Sequence, residues 1–233
     1  MTPRVILVIR HAETEWSRAD RVQGWAPVAL TDAGHERAEA LGRHLTRDYD
    51  LDAVVASDLR RAVETAAHIT SDGEDAVETR TGWRERDFGI YQGMDDDVFA
   101  DRFPRFSYGT VGERAFGETP EGGESWYDVR DRVSDAWDAL IAETSGDVAV
   151  VTHTGVLGCL VSLLTGKELD EAFAPGFDYC GITTVAVTRD DDAAGDDAGA
   201  GVAPNAGGDA VDADCELLAV DDTGFRELQG IHG

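Results

Sequence analysis

The chain has 233 residues, of which 42% are hydrophobic, and its 47 acidic and 20 basic residues give a formal net charge of -27. This length accommodates one domain with a sizeable core, and the apolar fraction excludes a disordered chain despite the charge. A protein this acidic is expected to repel nucleic acids and anionic membranes, so neither is predicted as a partner.

The charged residues are unevenly chosen. Nineteen of the 20 basic residues are Arg and one is Lys167, while Asp outnumbers Glu by 30 to 17. An acidic surface with almost no Lys resembles proteins of organisms that keep molar salt in the cytoplasm, where a Debye length of about 3 Å screens self-repulsion. An ordinary acidic protein from a GC-rich genome is the alternative.

Three cysteines, Cys159, Cys180 and Cys215, stand far apart along the chain. Their odd number and wide spacing favour neither a disulfide framework nor a zinc site. The longest apolar run, at residues 155–164, is about half of what a bilayer span needs, and the N-terminal run is too short for a signal peptide. A cytoplasmic, reducing location is therefore expected.

Strands and helices are predicted to alternate. Continuous apolar runs predict buried strands, and apolar residues at helical spacing predict helices. In chain order we predict a strand at residues 4–9, a helix capped by Thr31, a strand at 53–56, a helix through 62–69, a short helix at 98–103, a helix begun by Ser125 with Asp128 in a capping box, a strand at 148–152, a helix at 156–164, and strands at 182–187 and 217–220. This order predicts a layered α/β fold with a mostly parallel sheet.

Two stretches interrupt the alternation. Residues 190–214 consist mainly of Asp, Ala and Gly, which bury too little apolar surface to fold alone, so an acidic flexible insertion is expected. Its acidic residues lack the order of an EF-hand, so a calcium site is not predicted. Residues 94–119 are rich in aromatic residues and lie between candidate site segments. They predict a cap over the site, within a single domain of residues 1–233.

Two histidines follow buried strands directly. The first strand runs into Arg10 and His11, and the strand at residues 148–152 runs into His153. Ligands of open α/β sheets bind at the carboxyl ends of the strands, so these side chains are expected to meet at one edge. A single histidine at a strand end is commonly structural, but two with this placement favour catalysis.

At this point the sequence resembles the histidine phosphatase superfamily, also called the phosphoglycerate mutase-like family. The resemblance spans about residues 4–166 in family order and rests on the segments VIRHAETEW, RVQGW, LTDAGHERA, VVASDLRRAVETA, WRERDFGIYQGM, TPEGGESWYDVRDRV and VAVVTHTGVLGCLVSLLTG. It implies a three-layer α/β/α fold and a phosphoryl-transfer enzyme that uses neither a metal nor another cofactor.

The resemblance also implies roles for individual residues. His11 is the implied nucleophile that becomes phosphorylated, and Glu85 is the implied general acid and base. Arg10 and Arg61 are expected to bind the phosphoryl oxygens, and His153 is expected to stabilise charge at the transferring group. Gln23 and Ser17 match positions that contact phosphate in the family. Ser17 stands where many members have Asn, so its shorter reach puts that contact in doubt.

Phosphoryl transfer needs an in-line nucleophile and neutralisation of three equatorial oxygens. Arg suits this task because its planar fork holds phosphate bidentately and keeps its charge. The nucleophilic nitrogen of His11 must be unprotonated, which requires a hydrogen-bond partner, expected to be a backbone carbonyl, at the other nitrogen. A carboxyl group beside a phosphate dianion holds its proton more tightly, so Glu85 is suited to protonate the leaving group.

Ordinary structural roles are open for some of these residues. Arg60 and Arg61 are adjacent, and one of them is expected to be a solvated helix residue; the family pattern selects Arg61 for the site. Glu85 has charged neighbours and is open to a surface salt bridge. Thr14 is expected to cap a helix near the pocket, and Glu13 to pair with a nearby Arg.

The family contains phosphatases and phosphoglycerate mutases, and the phosphatase branch is favoured here. A mutase needs further cations for a second phosphate, whereas residues 94–119 offer Arg102, Arg105 and Arg114, none of them adjacent, and no Lys. An aromatic cap suits a hydrolase with apolar or varied leaving groups, although these side chains are equally suited to form the core of the cap. The aromatic residues are Phe99, Phe103, Phe106, Tyr108 and Phe116.

The expected activity is that of a metal-independent phosphomonoesterase acting through a phosphohistidine on a small phosphorylated metabolite. A 2,3-bisphosphoglycerate-dependent phosphoglycerate mutase is the first alternative. A non-catalytic relative that binds a phospholigand is the second, and it is disfavoured because it has no need to keep the complete set of site residues. The oligomeric state is open, with a homodimer as one option.

Overall fold

The computed structural model describes residues 3–106, 116–174, 176–189 and 213–224, with the backbone alone at Arg189. Its sheet contains β1 (Arg4–Arg10), β2 (Ala53–Ala56), β3 (Glu78–Thr79), β4 (Val148–Thr152), β5 (Ile182–Arg189) and β6 (Ala213–Asp222). The strand order is β3-β2-β4-β1-β5-β6. The first four strands in this order run parallel, and β5 and β6 pair antiparallel with their neighbours, so the predicted mostly parallel sheet is confirmed.

The described helices lie on both faces of the sheet. They are α1 (Glu15–Arg18), α2 (Asp32–Asp48), α3 (Arg60–Ala66), α4 (Asp96–Arg102), α5 (Trp126–Glu143), α6 (Thr154–Thr165) and α7 (Leu169–Phe173). Short 3-10 turns lie at Gly73–Ala76, Thr81–Trp83, Gly89–Tyr91 and Pro104–Phe106.

The apolar side chains of β1 alternate between two cores. Ile6 and Val8 pack with the apolar stripe of α5 and with α6 and α7. Leu7 and Ile9 face the opposite side, where they pack with α2 and α3. Successive side chains of a strand point to opposite faces of the sheet, so a strand with apolar residues at every position is buried on both faces. This arrangement confirms the three-layer α/β/α fold.

The helix caps follow from local sequence. The Thr31 side chain accepts a hydrogen bond from Gly34 N at the start of α2, as predicted. Ser125 and Asp128 form the predicted capping box at the start of α5, in which the Ser125 side chain accepts from Asp128 N and the Asp128 side chain accepts from Ser125 N. These caps satisfy amide groups that have no partner within the helix.

The prediction for α3 was wrong in its bounds, because the helix covers residues 60–66 rather than 62–69. Beyond Ala66 the chain tightens, with His68 N donating to Thr65 O at 3.2 Å and Ile69 N donating to Ala66 O at 2.8 Å. Helix α2 packs closely here, since a Cβ added at Gly42 would lie 1.9 Å from the His68 carbonyl oxygen. Residues 67–69 therefore pack against α2 and do not continue helix α3.

The last strand is longer than predicted, covering residues 213–222 rather than 217–220. This strand lies at the edge of the sheet, so its side chains alternate between half-buried and exposed. Because acidic residues stand toward both ends of the strand, the apolar run visible in the sequence is shorter than the strand. Two predicted segments fall partly outside the described residues: 107–115 of the cap and 190–212 of the insertion. Residues 213–214 of the predicted insertion already belong to β6. Within the described ranges, no helix combines the length and apolarity needed to cross a membrane.

Candidate active site

The carboxyl ends of β1 and β4 bring two histidines together. Arg10 is the last residue of β1 and is in register with Thr152, the last residue of β4. The residues that follow, His11 and His153, are buried side by side with ring centroids 5.1 Å apart. This is the sheet edge at which α/β folds bind their ligands.

His11 is held in a single orientation by hydrogen bonds at both ring nitrogens. Nδ1 lies 2.7 Å from the carbonyl oxygen of Ala12, which accepts only, so we assign the proton to Nδ1. Nε2 is then unprotonated and accepts a hydrogen bond from Arg61 Nε at 3.2 Å. The backbone carbonyl expected to fix the tautomer is therefore that of Ala12, and Nε2 is the nitrogen with a lone pair.

Arg61 is buried in the first turn of α3, with 1% of its surface exposed. Besides its bond to His11, it donates from Nη2 to the carbonyl of Gly24 at 2.8 Å and from Nη1 to that of Ala26 at 3.3 Å. Its neighbour Arg60 is exposed and forms an ion pair with Glu64 at 2.6 Å. The two adjacent arginines thus differ as expected, with Arg61 in the pocket and Arg60 on the surface.

Arg10 is held by the segment that precedes β5. Its Nη1 donates to the carbonyl of Phe177, and its guanidinium carbon lies 3.9 Å from the ring centroid of Tyr179. Its Nε atom is buried and has no hydrogen-bond partner among the described residues.

His153 is the N-cap residue of α6, and its side chain is fully buried. Neither of its ring nitrogens has a hydrogen-bond partner within the described part of the chain. An unsatisfied buried polar group costs about 1–3 kcal/mol, so His153 and the Nε of Arg10 favour binding of a ligand that carries hydrogen-bonding oxygens. The positive end of the α6 dipole also favours an anion here.

Both pocket histidines are held neutral. Burial, reinforced by the positive charges of Arg61 and Arg10, keeps the pKa of His11 well below its usual 6.5. Burial and the charge of Arg61 also lower the pKa of His153, with smaller contributions from His11, Arg132 and Arg10. A nucleophilic His11 is therefore already deprotonated at neutral pH.

Glu85 is 6% exposed and lies beside the start of α6. Its Oε2 accepts a hydrogen bond from the amide of Gly155 at 3.2 Å, two residues beyond His153, and its Oε1 accepts from the amide of Arg86 at 2.8 Å. A Cβ at Gly155 would lie 2.1 Å from Oε1, so the carboxylate approaches because this position is glycine. The surface salt bridge left open for Glu85 is wrong, because backbone amides hold its buried carboxylate.

Arg132 of α5 fixes the loop that carries Glu85. It donates to the carbonyls of Gly82 at 2.9 Å, Arg84 at 2.8 Å and Glu85 at 3.3 Å, and it forms an ion pair with Glu124 at 2.9 Å. Sequence reasoning did not single out Arg132 for this role, because all of its carbonyl partners lie nearly 50 residues away in the chain.

Ser17 and Gln23 meet at Thr14, the N-cap residue of α1. Ser17 Oγ accepts from Thr14 N at 2.9 Å and Ser17 N donates to Thr14 Oγ1 at 3.0 Å, which together form a capping box. The Thr14 hydroxyl donates to Gln23 Oε1 at 2.8 Å. Glu13 accepts from the hydroxyl of Thr31 at 2.7 Å, which ties the same loop to α2. Contacts of Ser17 and Gln23 with phosphate stay a prediction.

The aromatic residues of the cap pack in the core. Phe99, Phe106 and Phe116 are at most 5% exposed and belong to the cluster around Trp126. Buried Arg86 ties this layer together by donating to the carbonyls of three residues. The interpretation of these three rings as a surface for apolar leaving groups is therefore wrong, and Tyr108 lies outside the described residues.

A model of the histidine phosphatase superfamily (branch 1) matches residues 6–194. The chain is 33% identical over 163 residues to the metal-independent phosphoserine phosphatase of Arabidopsis thaliana, with 69% of this chain and 68% of that protein covered. It is 30% identical over 178 residues to the 2,3-bisphosphoglycerate-dependent phosphoglycerate mutase of Mesorhizobium japonicum, with 72% and 84% covered. A solved structure of the mycobacterial glucosyl-3-phosphoglycerate phosphatase superimposes with a TM-score of 0.66 at 25% identity, covering 80% of this chain and 92% of that chain.

The matched region contains both strand-end histidines, Arg61 and Glu85. The relatives named here are phosphatases and a mutase, and both kinds are enzymes. The chain is an enzyme of the histidine phosphatase superfamily, branch 1.

Proposed function

We propose that the chain is a metal-independent phosphomonoesterase that acts through a phosphohistidine on a small phosphorylated metabolite. The observation that carries this proposal is the geometry at His11: Nδ1 lies 2.7 Å from the carbonyl oxygen of Ala12 and Nε2 lies 3.2 Å from Nε of the buried Arg61, which assigns the lone pair to Nε2. A deprotonated nucleophile beside a fixed cation is the arrangement that attack on a phosphate monoester requires.

In the first step, Nε2 of His11 attacks phosphorus and the bond from phosphorus to the leaving oxygen breaks. Arg10 and Arg61 neutralise the charge on the equatorial oxygens, and His153 stabilises it from the second strand end. Glu85 protonates the leaving oxygen, which departs as an alcohol. The enzyme then holds one phosphoryl group on His11.

In the second step, water attacks the phosphohistidine. Glu85, now ionised, takes a proton from this water as the new bond to phosphorus forms. The bond from Nε2 to phosphorus breaks, and its electron pair returns to the nitrogen. Inorganic phosphate leaves, Glu85 holds the proton taken from the water, and His11 is again neutral with its proton on Nδ1, so both residues are back in their initial states.

Phosphatase activity is favoured over mutase activity by the charge of the cap. Arg102 and Arg105 are exposed, and Arg105 lies with its guanidinium carbon 4.7 Å from the ring centroid of Phe106. A mutase has to hold a second phosphate during reorientation, which requires cations directed into the pocket. Arg114 lies outside the described residues, so phosphoglycerate mutase activity is kept as the second candidate.

Hydrolysis of p-nitrophenyl phosphate in molar KCl, with and without EDTA, tests the proposal. We expect turnover that EDTA leaves unchanged, and a loss of at least about a thousandfold in kcat for His11→Gln. Arg61→Gln is expected to lose about a hundredfold or more, whereas its matched surface control Arg60→Gln stays within about twofold. Absence of turnover, or equal activities of the two arginine variants, contradicts the proposal.

The mutase candidate is separated by a second assay. The enzyme is supplied with 3-phosphoglycerate and a catalytic amount of 2,3-bisphosphoglycerate, and 2-phosphoglycerate and free phosphate are both measured. Release of phosphate without 2-phosphoglycerate supports the phosphatase. Formation of 2-phosphoglycerate faster than phosphate release replaces it with the mutase.

A further inference from the structure

Tyr179 lies against the candidate phosphate-binding residues Arg10 and His11. The guanidinium carbon of Arg10 lies 3.9 Å from its ring centroid, and the ring of His11 lies 6.1 Å away. Tyr179 is half-buried and belongs to neither hydrophobic core.

The turn that carries Tyr179 is built with strain. Gly181 N donates to Asp178 O at 2.9 Å, which places Tyr179 and Cys180 at the centre of a four-residue turn. Cys180 has a φ of +59°, in the left-handed region that residues with a side chain rarely adopt. Asp178 N donates at 2.7 Å to the carboxylate of Asp221, so β6 holds the turn from outside. Strained backbone of this kind persists where the surrounding structure enforces it, and it concentrates at functional sites.

The same turn encloses Arg10. Cys180 N donates to the carbonyl of Arg10 at 3.0 Å, and Arg10 N donates to the carbonyl of Gly181 at 3.2 Å. The carbonyl of Phe177 accepts from Nη1, while the ring of Tyr179 covers one face of the guanidinium. These contacts fix the backbone of Arg10 and hold one edge and one face of its guanidinium. The buried Nε is left to donate a hydrogen bond to a phosphoryl oxygen.

We propose that Tyr179 is a positioning residue for Arg10: its ring holds the guanidinium plane by a cation–π contact, so that Arg10 is ordered before phosphate binds. This inference rests on the proposed role of Arg10 as a phosphate ligand. A preordered cation binds its anion more tightly because the side-chain entropy is already lost, and cation–π contacts gain strength as they are desolvated.

The test is the dissociation constant of inorganic phosphate, measured by calorimetry at fixed KCl, which does not depend on turnover. Tyr179→Leu is expected to weaken binding by roughly three- to thirtyfold, and Tyr179→Phe by no more than about twofold, because the ring is retained. In an Arg10→Ala background, Tyr179→Leu should have no further effect. Stepwise fluorination of a phenylalanine at position 179 leaves the shape of the ring intact and should weaken phosphate binding progressively.

Three results would overturn the inference: unchanged affinity in Tyr179→Leu, the same loss in the Arg10→Ala background, or indifference to fluorination. The fluorinated series retains the fold, so it decides the matter if Tyr179→Leu fails to fold. A wild-type protein that binds phosphate in this Tyr179-dependent way but does not hydrolyse p-nitrophenyl phosphate refutes the phosphatase and supports the positioning role. A wild-type protein that does not bind phosphate refutes the positioning role.

Discussion

His11 and His153 make the pocket sensitive to acid. Burial holds the pKa of both residues well below 6.5, so each is neutral in the folded protein at pH values where it is protonated in the unfolded chain. Below pH 6.5 the unfolded chain binds more protons than the folded protein. As the pH is lowered, the free energy of unfolding therefore decreases until the pKa values of the folded state are reached. The stabilisation from neutral burial is thus fully present above pH 6.5 and declines below it.

We therefore expect the free energy of unfolding to drop between pH 7 and pH 5, with each histidine contributing up to about 1.4 kcal/mol per pH unit. Urea denaturation of the wild type and of His153→Gln at constant KCl measures this contribution. The variant should show the shallower pH dependence because it lacks one of the two titrating groups. Equal slopes for the two proteins would mean that His153 is not buried neutral.

Helix α5 acts on the site through Arg132, which binds three carbonyls of the loop around Glu85. The contribution of Arg132 should appear in the proton transfer that we propose for Glu85. Alkyl phosphates need a proton on the leaving oxygen, whereas p-nitrophenolate leaves readily without one. Displacement of Glu85 is therefore expected to affect alkyl substrates most.

Arg132→Met is expected to lower kcat for an alkyl phosphate about tenfold or more beyond its effect on p-nitrophenyl phosphate. Comparison of kcat for the two substrates gives this ratio, and Arg43→Met, on the exposed surface of α2, serves as the control. An equal loss on both substrates would show that Arg132 stabilises the fold without positioning Glu85.

The buried strands of the sheet were predictable because an apolar run marks each of them, whereas β3 was not predicted, since its two residues are exposed and carry no apolar run. β2 and β4 have the predicted bounds, and the two histidines follow from where β1 and β4 end. The roles that we propose for Arg61 and Glu85 come from the family resemblance, since neither residue stands out by its spacing in the sequence. The contacts of Arg132 and Tyr179 depend on how distant segments cross, and no local pattern in the chain encodes them.

At the scale of the whole molecule, the net charge of -27 is at odds with the anion binding that we propose for the pocket. The positive charge of the pocket and the acidic residues lie in different places. Arg61 is buried beside His11, while acidic residues such as Glu15, Glu39 and Asp48 lie at the surface. Screening at molar salt acts on exposed charges and much less on buried contacts. High salt should therefore reduce repulsion without removing the phosphate site.

We expect kcat/KM to persist or rise, and the unfolding temperature to increase, between about 0.1 M and about 2–4 M KCl, where the Debye length falls to about 3 Å or less. Sucrose at matched osmolality controls for general solute exclusion. A steady loss of activity and stability over this range would contradict the prediction of a halophilic protein. It would leave the assignment of the pocket to be tested separately.

In the proposed mechanism, His11 carries a phosphoryl group covalently between the two steps. During steady-state hydrolysis of p-nitrophenyl phosphate, the reaction is quenched in alkali, where the phosphorus–nitrogen bond survives, and the peptides are analysed by mass spectrometry. We predict one added phosphoryl group on His11, absent in His11→Gln. A phosphoryl group on another residue, or turnover that persists in His11→Gln, would contradict the mechanism.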